Sequence, residues 1–376
     1  MKNVYDIIFI GGGLSSLMFL SQYTQKNPKE KILVLEKNKS IRDDQTFCAW
    51  AGPSIVDIAQ TFNLKPKKKW HKIQLADNTN FILKDLQPYQ YVAFDGNKTL
   101  KKLLSSCKNI TYKSNITVKQ IQHDDVFTIK TDKEDEFYSL YLFDSRPPKD
   151  SQSYKYKESL SQAFIGSEII LPNNSFDETT VTLMDFQKNK DEIIFTYVLP
   201  FSKKRALVET TFFTKHVDFK LINNQHKLYL KRYKNFKEVR TEKAVLPMAI
   251  LNNTKSDKIL KLGIGAGMMR PSTGYSMQRI ANWINSLRFM KIKNSNKQNY
   301  FYRSPKILDW LDSIFLKVCY YQPQIGPLLF MSLFKKANIF SIIRFMSDVP
   351  SWFDIIRIVW ALPKKIMIKG LLNRHE

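Results

Sequence analysis

The feature that most constrains this chain is a run of three glycines directly after a short apolar segment. Residues 4–10 (VYDIIFI) predict a buried strand, and Gly11-Gly12-Gly13 ends it. A helix is predicted from Leu14 to Tyr23, and Asn27-Pro28 stops it. Residues 31–35 (KILVL) predict a second apolar strand. Strand, glycine turn, helix and strand within about thirty residues indicate a βαβ unit, and therefore a parallel sheet with helices on its faces.

The glycine turn has the chemistry of a dinucleotide site. Gly11 permits the tight turn, and Gly13 lets the backbone approach a pyrophosphate without a Cβ in the way. The free N–H groups and the dipole at the start of the helix, at Leu14-Ser15-Ser16, then meet the negative charge. Glu36 ends the second strand 23 positions after Gly13, where a carboxylate accepts hydrogen bonds from ribose hydroxyls. Ser16 stands where a third Gly or Ala is usual, so looser helix–strand packing is expected.

A second glycine-rich segment late in the chain favours FAD over NAD. An apolar strand, 259–264, leads into Gly263-Ile264-Gly265-Ala266-Gly267 and then Pro271-Ser272-Thr273-Gly274-Tyr275, where a helix to Leu287 is predicted to begin. In two-domain FAD enzymes the chain returns late with such a segment beside the flavin. Its backbone N–H groups would face the isoalloxazine edge, and a helix N-terminus there would stabilise an anionic reduced flavin. An ordinary glycine-rich loop is the alternative.

Charge and cysteine usage limit the classes of partner. The chain has 59 Lys and Arg against 34 Asp and Glu, a net charge of +25, which favours nucleic acid, an acidic membrane surface or a phosphate-bearing cofactor. The base composition of an AT-rich genome explains the lysines equally well. No recognisable RNA- or DNA-binding module is present, so no nucleic acid is expected as a partner. Three dispersed cysteines and five dispersed histidines predict neither a disulfide framework nor a metal site.

The chain is expected to be cytoplasmic, either soluble or peripheral to a membrane. It shows no signal peptide, and no stretch approaches the roughly 20 apolar residues that a spanning helix needs. Residues 353–369 and 328–345 nevertheless mix apolar and cationic residues, as helices lying in a membrane interface do. A C-terminal helical subdomain packed on the body of the protein is the alternative.

Further short segments occur in a recognisable order along the chain. They are Thr46–Trp50, Phe143–Arg146, Gln162–Gly166, Met184–Phe186, Leu199–Ser202, Leu207–Thr211, Ala244–Pro247, Gly265–Tyr275, Ile343–Asp348 and Ala361–Lys364. Together with the N-terminal glycine turn, this series resembles the lycopene cyclase family of carotenoid biosynthesis, specifically the bacterial lycopene β-cyclases. The resemblance covers nearly the whole chain.

The resemblance and the βαβ unit together predict an α/β, FAD-binding, Rossmann-like two-domain flavoprotein with an inserted β-rich substrate domain and a C-terminal helical region. Residues 1–50, 95–150 and 255–290 would form a discontinuous FAD-binding domain. Residues 51–94 and 151–254 would form the substrate-binding domain, and 300–376 the helical, membrane-contacting region.

The resemblance also implies a reaction without net redox change. Reduced FAD is the implied cofactor, with NAD(P)H as its ultimate reductant. A proton is added to a linear ψ-end of lycopene, the chain double bond attacks the resulting tertiary cation, and loss of a proton yields a β-ring. Repetition at the other end converts γ-carotene to β-carotene. The implied partners are lycopene, the lipid surface on the cytoplasmic face of the membrane and other carotenoid-pathway enzymes.

Glu209 is the candidate proton donor. An alkene is a very weak base, so it needs an acid held in a dry pocket. Residues 206–213 form an otherwise apolar strand, and alternation places Glu209 on the face of Leu207 and Thr211, so an inward carboxyl with a raised pKa is expected. The Leu-x-Glu-x-Thr pattern of the family carries its catalytic glutamate to Glu209. The alternative is a surface glutamate paired with Lys203.

Several other residues receive lesser roles. Asp185 is a second acid and is expected to be structural or supporting. By the resemblance, Asp144 and Arg146 are expected near the cofactor as structural support. Two roles are consistent with the sequence for the ring side chains of Trp50, Trp70 and His71: they line the substrate pocket, or they occupy ordinary core positions.

Two questions stay open at this point. Either Glu209 or the reduced flavin could donate the proton. A flavin-dependent oxidoreductase, such as a hydroxylase or dehydrogenase acting on an apolar substrate, shares the same fold and the same glycine turn, and is the alternative function.

Overall fold

Three β-sheets and a set of C-terminal helices make up the part of the chain that the computed structural model describes, residues 4–148, 151–252, 259–287, 292 and 300–372. Parts of the predicted domain segments lie outside the described residues, namely 1–3, 149–150, 253–258, 288–290 and 373–376. The strands are β1 (Val4–Ile10), β2 (Ile32–Leu35), β3 (Thr46–Ala51), β4 (Lys68–Trp70), β5 (Lys72–Ala76), β6 (Phe81–Asp85), β7 (Gln90–Asp95), β8 (Ile110–Lys113), β9 (Val118–His123), β10 (Phe127–Thr131), β11 (Glu136–Asp144), β12 (Leu160–Ile170), β13 (Thr180–Gln187), β14 (Ile193–Ser202), β15 (Arg205–Thr214), β16 (Lys237–Met248) and β17 (Ile259–Lys261). The helices are α1 (Leu14–Lys26), α2 (Ile58–Thr61), α3 (Gly96–Ser106), α4 (Phe219–Leu230), α5 (Met277–Ser286), α6 (Lys306–Tyr321), α7 (Gly326–Lys336), α8 (Ile339–Met346), α9 (Trp352–Ala361) and α10 (Lys364–Leu372).

The first sheet contains the predicted βαβ unit. Its strands run in the order β8-β2-β1-β11-β10-β9, and β17 pairs with β11. β1 lies parallel to both β2 and β11, and its residues Ile7–Ile10 are buried, as the continuous apolar run requires for a strand covered on both faces. α1 ends at Lys26, directly before Asn27, three residues later than predicted. α5 begins at Met277, two residues later than predicted.

The second sheet is larger and mostly antiparallel, with the order β16-β12-β15-β14-β13-β5-β6. A third, three-stranded sheet, β3-β7-β4, shares no strand pairing with the other two. One apolar core joins the second and third sheets to helices α6–α9: Trp70 and Leu207 belong to the same buried cluster as Phe330 and Phe334. The C-terminal helices therefore pack on a face of the second sheet.

A buried ion network connects the late glycine-rich segment to these helices. The guanidinium of Arg270, 1% exposed, donates to Asp312 of α6 from Nε (3.2 Å) and Nη2 (3.1 Å), and also to the carbonyl oxygen of Phe345 in α8. Arg279 of α5 pairs with Asp348, which follows α8. These charges are stabilising only as a set, because a buried charge without its partner carries a large desolvation cost.

Replacing Asp312 with Asn leaves the buried Arg270 guanidinium short of counter-charge. We expect the free energy of unfolding to fall by about 3 kcal/mol or more, as is usual when one side of a buried pair is removed. Urea denaturation measures this change. The control is Glu136→Gln, which removes the exposed partner of Lys130 and should leave the midpoint almost unchanged. Equal destabilisation by the two variants would contradict this account.

Candidate functional site

Three chain turns meet at the carboxyl end of the first sheet. β1 leads into Gly11, β11 into Ser145 and β17 into Gly263. Gly11 has φ +94°, and a Cβ on it would lie 2.3 Å from the hydroxyl oxygen of Ser145. A Cβ on Gly265 would lie 2.3 Å from the carbonyl oxygen of Arg146. Glycine is therefore favoured at both positions, at Gly11 by the positive φ and at Gly265 by the close approach of the Arg146 backbone.

The turns open onto a cavity of about 1380 Å³. The sequence-predicted residues that line it are Gly11, Gly12, Gly13, Leu14, Ser15, Glu36, Asp144, Arg146, Glu209, Gly265, Thr273, Gly274 and Tyr275. Three others, Ser16, Gly267 and Pro271, are not among the lining residues. Ser16 is fully buried behind the turn. The structure thus brings both glycine segments and the candidate acid to one cavity.

The start of α1 faces this cavity with its backbone uncapped by any side chain. Gly13 is the N-cap residue and offers no side chain, and a Cβ built on it would meet nothing within 4 Å. The amide of Gly12 donates to Oε2 of Glu36 at 2.7 Å, and the backbone amide of Asn38 donates to Oε1 at 2.8 Å. Free helix N–H groups beside open space fit an anionic group such as phosphate.

Asp144 is the centre of a cluster of charges at the second turn. Arg146 donates to it from Nε and Nη2, both at 2.9 Å, and Lys261 donates from Nζ at 2.7 Å. Burial alone would raise the pKa of Asp144, but the two cations hold this pKa below its ordinary value. The carboxylate therefore fixes the positions of two cations at the edge of the cavity.

Glu209 lies in the part of the cavity formed by the second sheet. Its side chain is buried, and Oε1 accepts a hydrogen bond from the Thr211 hydroxyl at 2.9 Å. No ion pair to Glu209 occurs within the described residues; Lys203, the alternative partner, is exposed in the turn between β14 and β15. Burial, and secondarily the charge of Glu242, raise the pKa of Glu209 to about 8. The side chain is a neutral acid at neutral pH.

Aromatic side chains surround this acid, and two of them escaped the sequence analysis. The Tyr197 hydroxyl donates to that of Tyr91 at 2.8 Å, and the hydroxyls of Tyr91 and Tyr275 are also 2.8 Å apart. The Trp50 ring contacts Tyr91 edge-on with centroids 4.6 Å apart. Tyr197 stands directly opposite Glu209 in the β14–β15 ladder. The register shifts between Pro200 and Ser202, so counting back from the Ser202–Arg205 turn would have placed Val198 there instead.

The remaining sequence candidates lie away from the cavity lining. Trp70 is in the core, where its Nε1 donates to the carbonyl oxygen of Pro200 at 3.1 Å. His71 does not line the cavity either. Asp185 accepts hydrogen bonds from Tyr229 and Arg232, both at 2.8 Å, outside the lining.

The part of the cavity lining that the C-terminal helices contribute is apolar and includes Phe330 and Phe334 of α7 and Met346 of α8. No group of three or more His, Cys, Asp or Glu side chains in the described ranges is arranged to hold a metal ion. The cavity therefore offers free helix N–H groups for an anionic group, apolar walls for an apolar molecule and the buried carboxyl of Glu209.

Solved structures with similar folds are flavin-dependent enzymes and a reductase-like protein. A geranylgeranyl bacteriochlorophyll reductase-like protein from Thermoplasma acidophilum matches with a TM-score of 0.61 at 10% identity over 100% of this chain and 97% of that one. The flavin-dependent brominase Bmp2 matches with 0.61 at 12% identity over 92% and 94%. The halogenase PltM, solved with phloroglucinol and FAD, matches with 0.61 at 11% identity over 99% and 93%. At these identities the likeness is one of fold, and it confirms the predicted fold class.

Sequence comparison is more specific. No curated protein sequence matches the chain significantly. The family model described as "Lycopene cyclase protein" matches residues 6–301, which include both glycine segments and Glu209. The chain belongs to the lycopene cyclase family.

Proposed function

We propose that the protein is a lycopene β-cyclase, which converts the ψ-ends of lycopene to β-rings by way of γ-carotene. The observation that carries this proposal is the buried carboxyl of Glu209, which lines a cavity with many apolar and aromatic side chains and has no ion-pair partner within the described residues. A carboxyl that keeps its proton near neutral pH, in a dry and aromatic site, suits the role of proton donor to an alkene.

The residues of the cavity fit FAD as the cofactor. Gly11–Gly13 and the start of α1 would bind the pyrophosphate, and Glu36 would bind ribose hydroxyls. Two lining atoms, Thr273 Oγ1 and Gln162 Oε1, are buried without a hydrogen-bond partner among the described residues, so polar groups of a cofactor could pair with them. When bound, reduced FAD, regenerated by NAD(P)H, would supply negative charge and an electron-rich face near the cation.

The chain's own residues account for the first steps. Glu209 transfers its proton to the terminal double bond of the ψ-end, which leaves a carboxylate and a tertiary cation. The next double bond closes the ring on that cation, and a proton leaves to form the β-ring. The rings of Tyr91, Tyr197 and Tyr275 present π faces that stabilise positive charge, and the apolar walls exclude water that would trap it.

Expression of the chain in lycopene-accumulating cells should produce β-carotene, identified by chromatography. Glu209→Gln should abolish cyclisation while FAD stays bound, because the amide keeps the shape of the side chain but donates no proton. Asp185→Asn is the matched control and should retain activity, since Asp185 lies outside the cavity lining. Accumulation of unchanged lycopene by the unmodified chain would reject the proposal. Stoichiometric NAD(P)H consumption with product would favour an oxidoreductase instead.

The cyclisation rate should depend on pH through Glu209. Its pKa is raised to about 8, so the acid form predominates below that pH and is lost above it. We expect a rate that is flat from about pH 6 to 7 and then falls about tenfold per unit above pH 8. The measurement is initial rate against pH with purified protein, reduced FAD and lycopene in vesicles. A rate that does not decline up to pH 10 would contradict the assignment.

A lipid surface is the proposed source of the substrate. In α9 the side chains of Trp352, Phe353, Ile356 and Trp360 are more than half exposed and follow one helical face. Cationic side chains surround this face: Arg357, Lys364, Lys365 and Lys369 are exposed. Such a face suits insertion into an anionic interface. None of the helices in the described part of the chain is long and apolar enough to cross a bilayer.

The position of α9 connects this face to the cavity. α9 packs against α7 and α8, the helices whose Phe330, Phe334 and Met346 line the cavity. We therefore propose that a carotenoid leaving the bilayer, on the cytoplasmic face of the membrane, enters beside these helices and reaches Glu209 with one terminus.

Replacing Trp352 and Phe353 with Ser should weaken binding to phosphatidylglycerol vesicles at least tenfold, as measured by co-sedimentation. Burial of each ring in the interface stabilises the bound state by about 1.5–3 kcal/mol, and about 1.4 kcal/mol corresponds to tenfold. Phe81→Ser is the matched control, because Phe81 is equally prominent at 61% exposure but lies in β6 at the edge of the second sheet. An equal loss of binding with Phe81→Ser would reject α9 as the docking face.

A further inference from the structure

A second carboxyl, that of Glu242, faces the same cavity as Glu209. In the second sheet, Gly166 of β12 lies directly opposite Glu209 of β15 on one side and directly opposite Glu242 of β16 on the other. Residues directly opposite one another in a ladder point to the same face. Both glutamates line the cavity. The two acids therefore stand on one surface with a glycine between them.

Gly166 keeps the space between the two acids open. A Cβ at this position would lie 3.3 Å from the Cβ of Glu209 and 3.3 Å from Cδ1 of Leu207. Neighbouring strands are about 4.8 Å apart, so the two glutamate backbones are about 10 Å apart. A glycine there allows a substrate terminus to contact both carboxyls.

The two carboxyls have opposite surroundings. Oε1 of Glu242 is 2.6 Å from Nη2 of Arg240 and accepts a hydrogen bond from Oγ1 of Thr46 at 2.5 Å. Oε2 accepts from the Thr46 amide at 3.2 Å. Burial raises the pKa of Glu242 above its ordinary value, although Arg240 and Thr46 act in the opposite direction. Within the described residues, Glu209 has the Thr211 hydroxyl and no cation.

Arg240 is itself held in place. Its Nη2 and Nε donate to Oε2 of Glu168, at 3.0 and 3.2 Å, and its Nη1 donates to the backbone oxygen of Asp43 at 2.9 Å. A guanidinium fixed in this way keeps its charge beside Glu242, because arginine does not deprotonate in proteins. One face of the sheet thus presents one carboxyl without a cation and one carboxyl beside a fixed guanidinium, and such different surroundings suit an acid and a base respectively.

We propose that Glu242 is the base that removes the second proton of the reaction, after Glu209 has delivered the first. This inference rests on the proposed cyclase function. Glu209 donates a proton to the alkene and becomes a carboxylate; after ring closure, the carboxylate of Glu242 takes a proton from a ring carbon, whose C–H electrons form the new double bond. Substrate and product have the same composition. The enzyme is restored when Glu242 returns its proton to solvent and Glu209 regains one.

A fixed base would also determine which ring forms. The cyclic cation has hydrogen on three neighbouring carbons: the ring carbon bearing the polyene, the ring CH₂ and the methyl group. Only loss from the first conjugates the new double bond with the polyene and gives the β-ring. A base on one wall of the cavity can select that hydrogen by position.

The test compares Glu242→Gln and Glu242→Asp with the unmodified chain in lycopene-accumulating cells. We expect Glu242→Gln to bind FAD, to lose at least tenfold in β-ring product and to place residual double bonds elsewhere in the ring or on the methyl carbon. Glu242→Asp should restore part of the β-ring product. Glu238→Gln, on the same strand but outside the lining, should behave like the unmodified chain. Three results would each overturn the proposal. Glu242→Gln could form β-rings at the normal rate, it could form only β-rings at a reduced rate, or Glu242→Asp could fail to restore β-ring product.

A spectroscopic readout separates this proposal from the proposed function, because it needs no substrate. The infrared difference between the unmodified protein and Glu242→Gln at pH 7 should show loss of an ionised carboxylate band. Loss of a protonated carboxyl band would mean that Glu242 is not an anion, and would overturn its role as base even if lycopene is cyclised. If the unmodified protein does not cyclise lycopene, but Glu242→Gln still removes a carboxylate band, the proposed substrate is wrong. The pairing of a protonated Glu209 with an ionised Glu242 would then still stand.

Discussion

The whole arrangement depends on the contact of three backbone turns at the carboxyl end of the first sheet. Gly11, Gly263 and Gly265 leave no room for a Cβ, which would lie 2.3–2.7 Å from Ser145, Ser15 and the backbone of Arg146 respectively. Because β1, β11 and β17 are parallel neighbours, their carboxyl ends lie at one edge. That edge is where open α/β sheets bind ligands. The early and late glycine segments form one site for this reason.

The charged groups that line the cavity have different partners at the first and second sheets. At the first sheet, charges are compensated: Asp144 is paired with Arg146 and Lys261. At the second sheet, Glu209 is buried without a cation in the described structure, and it avoids the cost of a buried charge by staying protonated. In the proposed reaction, this retained proton is the one that Glu209 donates. The same contrast distinguishes Glu209 from Glu242, which faces the same space beside Arg240.

The C-terminal helices complete the cavity and connect it to the surface. The pairs Arg270–Asp312 and Arg279–Asp348 hold them against the glycine-rich segment from which α5 begins. Their inner side chains line part of the cavity, and the outer face of α9 leaves large aromatic rings exposed. A shift of these helices would therefore alter both the cofactor-side turn and the proposed route of substrate entry.

The sequence by itself determined the local features: the βαβ unit, the two glycine segments, and Glu209 on an inward strand face. Each follows from short-range periodicity or turn chemistry, which a sequence displays directly. It did not reveal Glu242, Tyr91 or Tyr197 as cavity residues, because their neighbours come from strands distant in the chain and depend on ladder register. It also assigned Ser16, Gly267 and Pro271 to the cofactor; these three residues do not line the cavity, and their assignment stays a prediction. Only the pairing of strands that are distant in the sequence decides which side of a turn faces a cavity. The same pairing decides which two acids share a face of a sheet.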